Sequence, residues 1–361
     1  MPGDAAVDPS LIPSPGQTGR GWQSELRTAW CRARYWAEHE AIRLPLIAAH
    51  RLAFAFAGPR PSRNRELEAA VRRRYRELLE CDCEQARAGL YPEELLFDLP
   101  VREYLQTLPR FLLDLPSVFA RGRAGNHRDL PDQVELAAFP KYYRRTFHWQ
   151  TDGYLSDRSA ALYDLGVELL FVGCADVMRR QALAEVLRRR SGPLSLLDVG
   201  AGTGRFLAQA ARCLPGSELA GLDLSPWYSR FAEQHLAQSP FTRHVRMLVG
   251  NAEALPYADA SVDVATSIFL MHELPRRARR QVLEEMRRVL RPGGLLVLED
   301  AAQPSDAPEL VPALRQFSRD LHEPFFRDYQ QDDLAELCRE CGFRVHGVRS
   351  HFFAKVLSAE R

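Results

Sequence analysis

No run of 18 or more apolar residues occurs in this chain of 361, so no segment has the length of a membrane-crossing helix. Net charge is nearly absent too. Its 48 Lys and Arg against 47 Asp and Glu leave +1, which draws the chain to neither nucleic acid nor an anionic membrane. The basic runs are short ("VRRRYR" at 71–76, "RRR" at 188–190, "RRARR" at 276–280) and read as solvated helix faces. Cysteines are few, seven in all, and an odd number in so long a chain excludes a disulfide framework. Cys81 with Cys83 and Cys338 with Cys341 are close pairs, but both lie in helically patterned segments and C-x-C is not a knuckle spacing. No metal is expected. There is no internal repeat. The opening "MPGDAAVDPSLIPSPGQTGRG" is rich in Pro and Gly and lacks a charged segment followed by an apolar one. It reads as a disordered tail over 1–23 rather than a signal peptide, and a cytoplasmic protein is expected.

What is present is an ordinary globular composition, 46% hydrophobic and 26% charged, in a chain long enough for two domains. Residues 24–140 read as a helical domain. Helical spacing over 24–57 carries Trp30, Tyr35 and Trp36, "GPRPSR" at 58–63 breaks it, and a second helix spans about 64–88. Prolines every seven to nine residues through "YPEELLFDLPVREYLQTLPRFLLDLPSVFARG" predict short helices joined by turns. A connecting segment over 141–193 begins with "YYRRTFHWQTDGYLS" and continues as one helix over about 156–190. From 194 to 361 the pattern changes. Short apolar runs alternate with helices at 203–213, 226–238, 276–290 and 329–341, the signature of an α/β, doubly wound, mostly parallel sheet. The last two runs, "FRVHGVRS" and "FFAKVLS", are joined too tightly for a crossover and must form an antiparallel hairpin.

The strand ends carry the chemistry. In "LLDVGAGTGRF" a strand closes on Asp198, and Gly200, Gly202 and Gly204 follow at every second position with Ala201 between them. Arg205 stands where a dinucleotide fingerprint has its third glycine, which weakens the case for NAD or FAD. The next strand ends at Asp223 and Leu224, nineteen residues past Gly204, where a carboxylate takes ribose hydroxyls. "VGNAEALPY" places Asn251, Ala252 and Glu253 beside an adenine bound at that ribose. No lysine lies among these loops, so a phosphate-free, cationic adenosine ligand fits better than a nucleotide.

With these motifs in this order, residues 194–358 resemble the class I S-adenosylmethionine-dependent methyltransferases. "LDVGAGTGRF" is similar to their first motif, "GLDLS" to the ribose loop, "GNAEALPYADASVDVATS" to the adenine-side loop and fourth strand, and "LRPGGLLVLED" to the fifth strand. The resemblance implies a seven-stranded Rossmann-like sheet, S-adenosyl-L-methionine as cofactor, and methyl transfer by in-line displacement. Where the family commonly has Asp in the adenine loop this chain has Asn251, whose carbonyl oxygen can still accept from the adenine amino group.

The acceptor is less legible. The chain lacks a [D/N]-P-P-[Y/F] motif after the fourth strand and has Met271, His272 and Glu273 instead, which argues against nucleobase amines. His272 reads equally as a base or as a histidine bonding its own loop. "LRQFSRDLHEPFFRDYQQ" brings His322, Glu323, Phe326 and Tyr329 above the strand ends, as a lid or as a packed turn. "FHWQTDGYLS" is placed to fold over the cofactor's methionine end, with Tyr154 on the cofactor side and Tyr143, His148, Trp149 and Asp152 toward the acceptor; alternatively Trp149 and Tyr154 are core aromatics between domains. Together "FHWQTDGYLS", "FLMHELP" and "LHEPFF" resemble a group of bacterial and plastid-type methyltransferase-domain proteins. The expectation is a small-molecule acceptor, with His148, His272, Glu273 and His322 as candidate bases and His148 and His272 facing one cavity. The alternatives are a protein or RNA acceptor held by the helical region, and a cofactor-binding scaffold without turnover.

Overall fold

Alternating apolar residues on β1 (Ser195–Val199), β4 (Val262–Ile268) and β5 (Leu290–Ala301) send side chains to two opposite faces. In the computed structural model, which describes residues 29–47 and 64–361, each face is buried under helices. Leu197, Val199, Ala265, Leu296 and Leu298 pack under α8 (Arg276–Val289), α10 (Phe326–Gln331) and α11 (Leu334–Glu340). Leu196, Val264, Leu295 and Val297 pack under α5 (Ala175–Arg189), α6 (Arg205–Cys213) and α7 (Pro226–Leu236). With β2 (Glu218–Asp223), β3 (Arg246–Val249), β6 (Arg344–His351) and β7 (Ala354–Glu360), the sheet order is β3-β2-β1-β4-β5-β7-β6. The first five strands pair parallel; β7 runs antiparallel to both β5 and β6. The order reverses beside β1, which opens a crevice at the strands' carboxyl ends.

The helical half packs onto this unit. Residues 29–47 form α1, followed by α2 (Arg65–Arg87) and α3 (Val101–Ala124). A buried pair, Arg180 on Asp82 at 2.9 and 2.7 Å, ties α2 to α5, and Tyr35 and Tyr91 donate to the same carboxylate. The tail over 1–23 and the break at 58–63 lie outside the described residues. Among the described residues no helix is long and apolar enough to cross a membrane.

Three expectations need correction. Residues 101–124 form one helix rather than several, although Pro109 and Pro116 lie inside it. Seven residues apart, the two rings share an exposed face, where the carbonyls they free meet solvent. The helix expected over 156–190 is two, α4 (Asp157–Leu170) and α5. Val172 and Gly173 take left-handed backbone between them, and Glu168 caps α5 through Ala175 and Asp176 N–H. The helix expected over 329–341 is split by the Asp333 cap, which accepts from Ala335 and Glu336 N–H. The two cysteine pairs lie apart: Cys83 joins the α2–α5 core, while Cys338 and Cys341 join the sheet's α8 side.

Candidate functional site

The loop after β1 turns on glycines with positive φ. At Gly200 a Cβ would meet Leu270 at 3.0 Å, whereas at Gly202 it would enter open space, so Gly202 presents bare backbone to the crevice. Asp223 closes the loop from β2: its Oδ2 accepts Gly202 N–H and its Oδ1 accepts Ser225 N–H, both at 2.8 Å. Leu224 N–H is a further backbone donor to this carboxylate. Burial raises the Asp223 pKa, against the pull of the backbone N–H groups. A pocket at this point is lined by Gly200, Gly202, Asp223, Leu224, Asn251 and Ala252. Tyr143 and Tyr154 form its roof. Its donors and acceptors suit an adenosine with a phosphate-free tail, and the open backbone at Gly202 leaves room for that tail. Asn251 Oδ1 accepts Glu253 N–H at 2.9 Å, so it shapes the loop with one lone pair and keeps the other. Glu253 stands behind the pocket wall and takes the Tyr142 hydroxyl at 2.6 Å.

A second cavity of about 800 Å³ opens from the same loop. Tyr163, Gly200, Gly202, Ile268, Phe269 and Glu273 line both spaces. Asp198 and Ala201 face this larger one, and burial raises the Asp198 pKa to about 7 although Thr266 donates to it at 2.7 Å. Its far wall is aliphatic and aromatic: Leu108, Leu115 and Phe119 of α3 against Leu162, Val167 and Leu170 of α4. This wall is hidden in the sequence, where the prolines of α3 mask its leucine stripe.

In the lining of the larger cavity His148, His272, Glu273 and Glu323 converge from three separate segments. Nε2 of His148 bonds Glu323 and lies 3.9 Å from Glu273. Nδ1 of His272 meets Asp300 at 2.6 Å, and its Nε2 lies 3.9 Å from Glu323. Tyr154 donates its hydroxyl to Glu273. Burial opposes charge on His272, but Asp300 outweighs it and raises the pKa to about 10. Burial raises Glu273 to about 7 against the pull of His148 and His272. Asp300 was not foreseen. Its place at the carboxyl end of β5 was the available signal.

Other expected site residues sit elsewhere. Gly204 faces α7, where a Cβ would lie 3.1 Å from Leu236 and 3.3 Å from Ala232, so its task is packing rather than cofactor contact. His322 is wedged between His127 and Trp149, with ring centroids at 4.8 and 4.9 Å. Burial and the neighbouring His127 and Arg145 lower its pKa to about 4, and it stands off the cavity. Trp149 donates to Asp320 O at 3.0 Å, and Asp152 accepts from Ser156 Oγ at 2.7 Å; both brace the roof from outside. Met271, Phe326 and Tyr329 are buried behind His272, with the two rings edge-on to its imidazole.

A family model described as "Methyltransferase domain" matches residues 196–294. A demethylmenaquinone methyltransferase of Lactiplantibacillus plantarum is 31% identical over 223 residues, covering 55% of this chain and 91% of that protein. A ubiquinone/menaquinone biosynthesis C-methyltransferase of Geotalea uraniireducens is 32% identical over 41% of this chain and 62% of its own length. A 24-methylenesterol C-methyltransferase of Oryza sativa is 31% identical over 46% of each chain. Among solved structures, a methyltransferase from Aquifex aeolicus superposes with a TM-score of 0.39 at 19% identity, over 50% of this chain and 88% of that one.

Proposed function

Since the chain belongs to the class I S-adenosylmethionine-dependent methyltransferases, we propose that it methylates an apolar small molecule at an activated carbon or oxygen. The observation that carries this reading is the cavity of about 800 Å³, walled by α3 and α4, that opens onto the glycine loop. A scaffold without turnover would have no use for such a space beside the loop. The relatives named above are, by their names, methyltransferases of demethylmenaquinone, of ubiquinone and menaquinone biosynthesis, and of a 24-methylenesterol, which supports an apolar acceptor.

S-adenosyl-L-methionine, when bound, supplies an electrophilic methyl group on a sulfonium. The chain's own residues do the rest. Asp223 would hold the ribose hydroxyls, Leu224, Asn251 and Ala252 the adenine, and Gly200 and Gly202 the methionine end. Tyr143 and Tyr154 close the roof and exclude water. The α3–α4 wall would orient the acceptor so that its nucleophile faces the shared lining at Gly200 and Phe269. Glu273 borders both spaces and is placed to take a proton from the acceptor.

The test is transfer of label from methyl-tritiated cofactor, with a prenylated demethylnaphthoquinone and an organic extract of bacterial cells as parallel acceptors. Label should enter the organic phase. Leu115→Trp, which narrows the cavity at its apolar wall, should reduce that transfer while leaving cofactor affinity unchanged. Label found only in protein or RNA would overturn the reading.

A further inference from the structure

We infer that His148, His272 and Glu323 form a binding site for one divalent transition-metal ion in the lining of the larger cavity. Their donor atoms all lie within 4.8 Å of one another. Ligand atoms around an ion with bonds of about 2.0–2.2 Å stand roughly 3–3.5 Å apart. The 3.9 Å between His272 Nε2 and Glu323 must therefore close slightly, and the direct His148–Glu323 contact must open. Both are side-chain rotations. Glu273, 3.9 Å from His148 Nε2, stands beside the site and stays free of the ion.

Two further observations point to an ion. The side chain of Glu323 is fully buried, yet its Oε2 has no hydrogen-bond partner, a costly condition that a bound cation relieves. The outer partner is already built. Asp300 is fixed by Met271 and Ala301 N–H, both at 2.7 Å, and holds Nδ1 of His272 at 2.6 Å. With Nδ1 engaged there, Nε2 is aimed at the cluster, the carboxylate–histidine–metal arrangement. Two buried carboxylates, Asp300 and Glu323, and the partly buried Glu273 meet two imidazoles here, so a dication also offsets charge.

The imidazole donors select the zinc, cobalt and iron class over magnesium or calcium. All four side chains line the larger cavity, so an open coordination position would face the acceptor. There the ion would hold and acidify an acceptor hydroxyl, whose proton passes to Glu273. Only this role rests on the methyl-transfer reading; binding of the ion does not.

The full chain, stripped with a chelator, is titrated with Co²⁺ and Zn²⁺ in the absence of cofactor and acceptor. One equivalent of Co²⁺ should bind, develop visible ligand-field absorption, and be displaced by Zn²⁺. Asp300→Asn should weaken binding about 10–100-fold. Glu323→Gln, and His148→Ala in the half-exposed roof loop, should weaken it further, with native circular dichroism. Absence of saturable Co²⁺ binding by the unaltered chain would overturn the site, as would unchanged affinity in folded His148→Ala. Methyl transfer is scored separately. Metal binding without transfer counts against the proposed function alone, and undiminished transfer by a chain that binds no metal counts against the ion alone.

Discussion

Replacing Asp223 with alanine isolates the cofactor half of the site. Its two oxygens accept Gly202 and Ser225 N–H at 2.8 Å, with Leu224 N–H as a further backbone donor, and the carboxylate would still accept from the ribose hydroxyls. A hydrogen bond to a charged group contributes about 1.5–3 kcal/mol. Two at the lower end give about 3 kcal/mol, or about 100-fold in Kd. The alanine also orphans the N–H groups of Gly202 and Ser225, so some loss of Tm is expected and is measured separately. Asp223→Asn keeps one acceptor oxygen but turns an amide donor toward one of those N–H groups; its loss should be smaller, about tenfold. The assay is isothermal titration with S-adenosylhomocysteine, which binds without turnover. A Kd for Asp223→Ala within about threefold of the unaltered chain, with native circular dichroism, would refute the ribose placement.

Two other substitutions separate ligand contact from packing and charge. Gly202→Ala puts a methyl group into open space in the crevice, so cofactor affinity should fall; Gly204→Ala presses on Leu236 and Ala232, so Tm should fall while affinity holds. Equal effects on affinity would end that distinction. At Asp176, burial opposes ionisation, but Arg205 and then Arg179 prevail and hold the carboxyl at about 2. Its folded pKa therefore lies below its unfolded value of about 3.9, so the stabilisation is full above about pH 4 and is lost as pH falls toward 2. The shift of about two units is on the order of 2–3 kcal/mol. Urea midpoints of Asp176→Asn should decline less than those of the unaltered chain between pH 4 and 2, and parallel declines would show that the pair does not carry this charge.

The pocket at the glycine loop was legible in the sequence because it follows from local grammar. A strand, a glycine loop and a carboxylate at the next strand end form one contiguous unit, and Gly200, Gly202, Asp223 and Asn251 all fell where spacing put them around one pocket. Gly204 failed the same reasoning because a glycine serves a helix contact as readily as a ligand contact. His148, His272, Glu273 and Glu323 were each noticed, but their meeting depends on how three loops dock. The stripe at Leu108, Leu115 and Phe119 needed one continuous helix to be seen, and the prolines argued for several. The break at Gly173 was readable in "FVGC", and the cap at Asp333 in "DDLAE", each outweighed by the apolar pattern around it.

On the proposed reading, the residues that meet the acceptor lie largely outside the matched family core. His148, Trp149 and Asp152 all have left-handed backbone, each a cost of about 1–3 kcal/mol for a residue other than glycine. That shape persists only because its surroundings hold it. Arg121 of α3 donates to Trp149 O at 2.9 Å, Trp149 donates to Asp320 O, and His148 N–H donates to His322 O at 3.2 Å. Phe147 is buried against Tyr154 with centroids at 5.4 Å. The strained loop, α3 and the 320–323 turn therefore lock one another, and His148 reaches Glu323 only when all three are docked. The matched span, residues 196–294, holds Asp223, Asn251, His272 and Glu273 but neither the roof, nor the α3–α4 wall, nor Glu323. A chain sharing only that span would share the cofactor pocket and half of the cluster. Its acceptor would be set by whatever its own extension folded over the same strand ends.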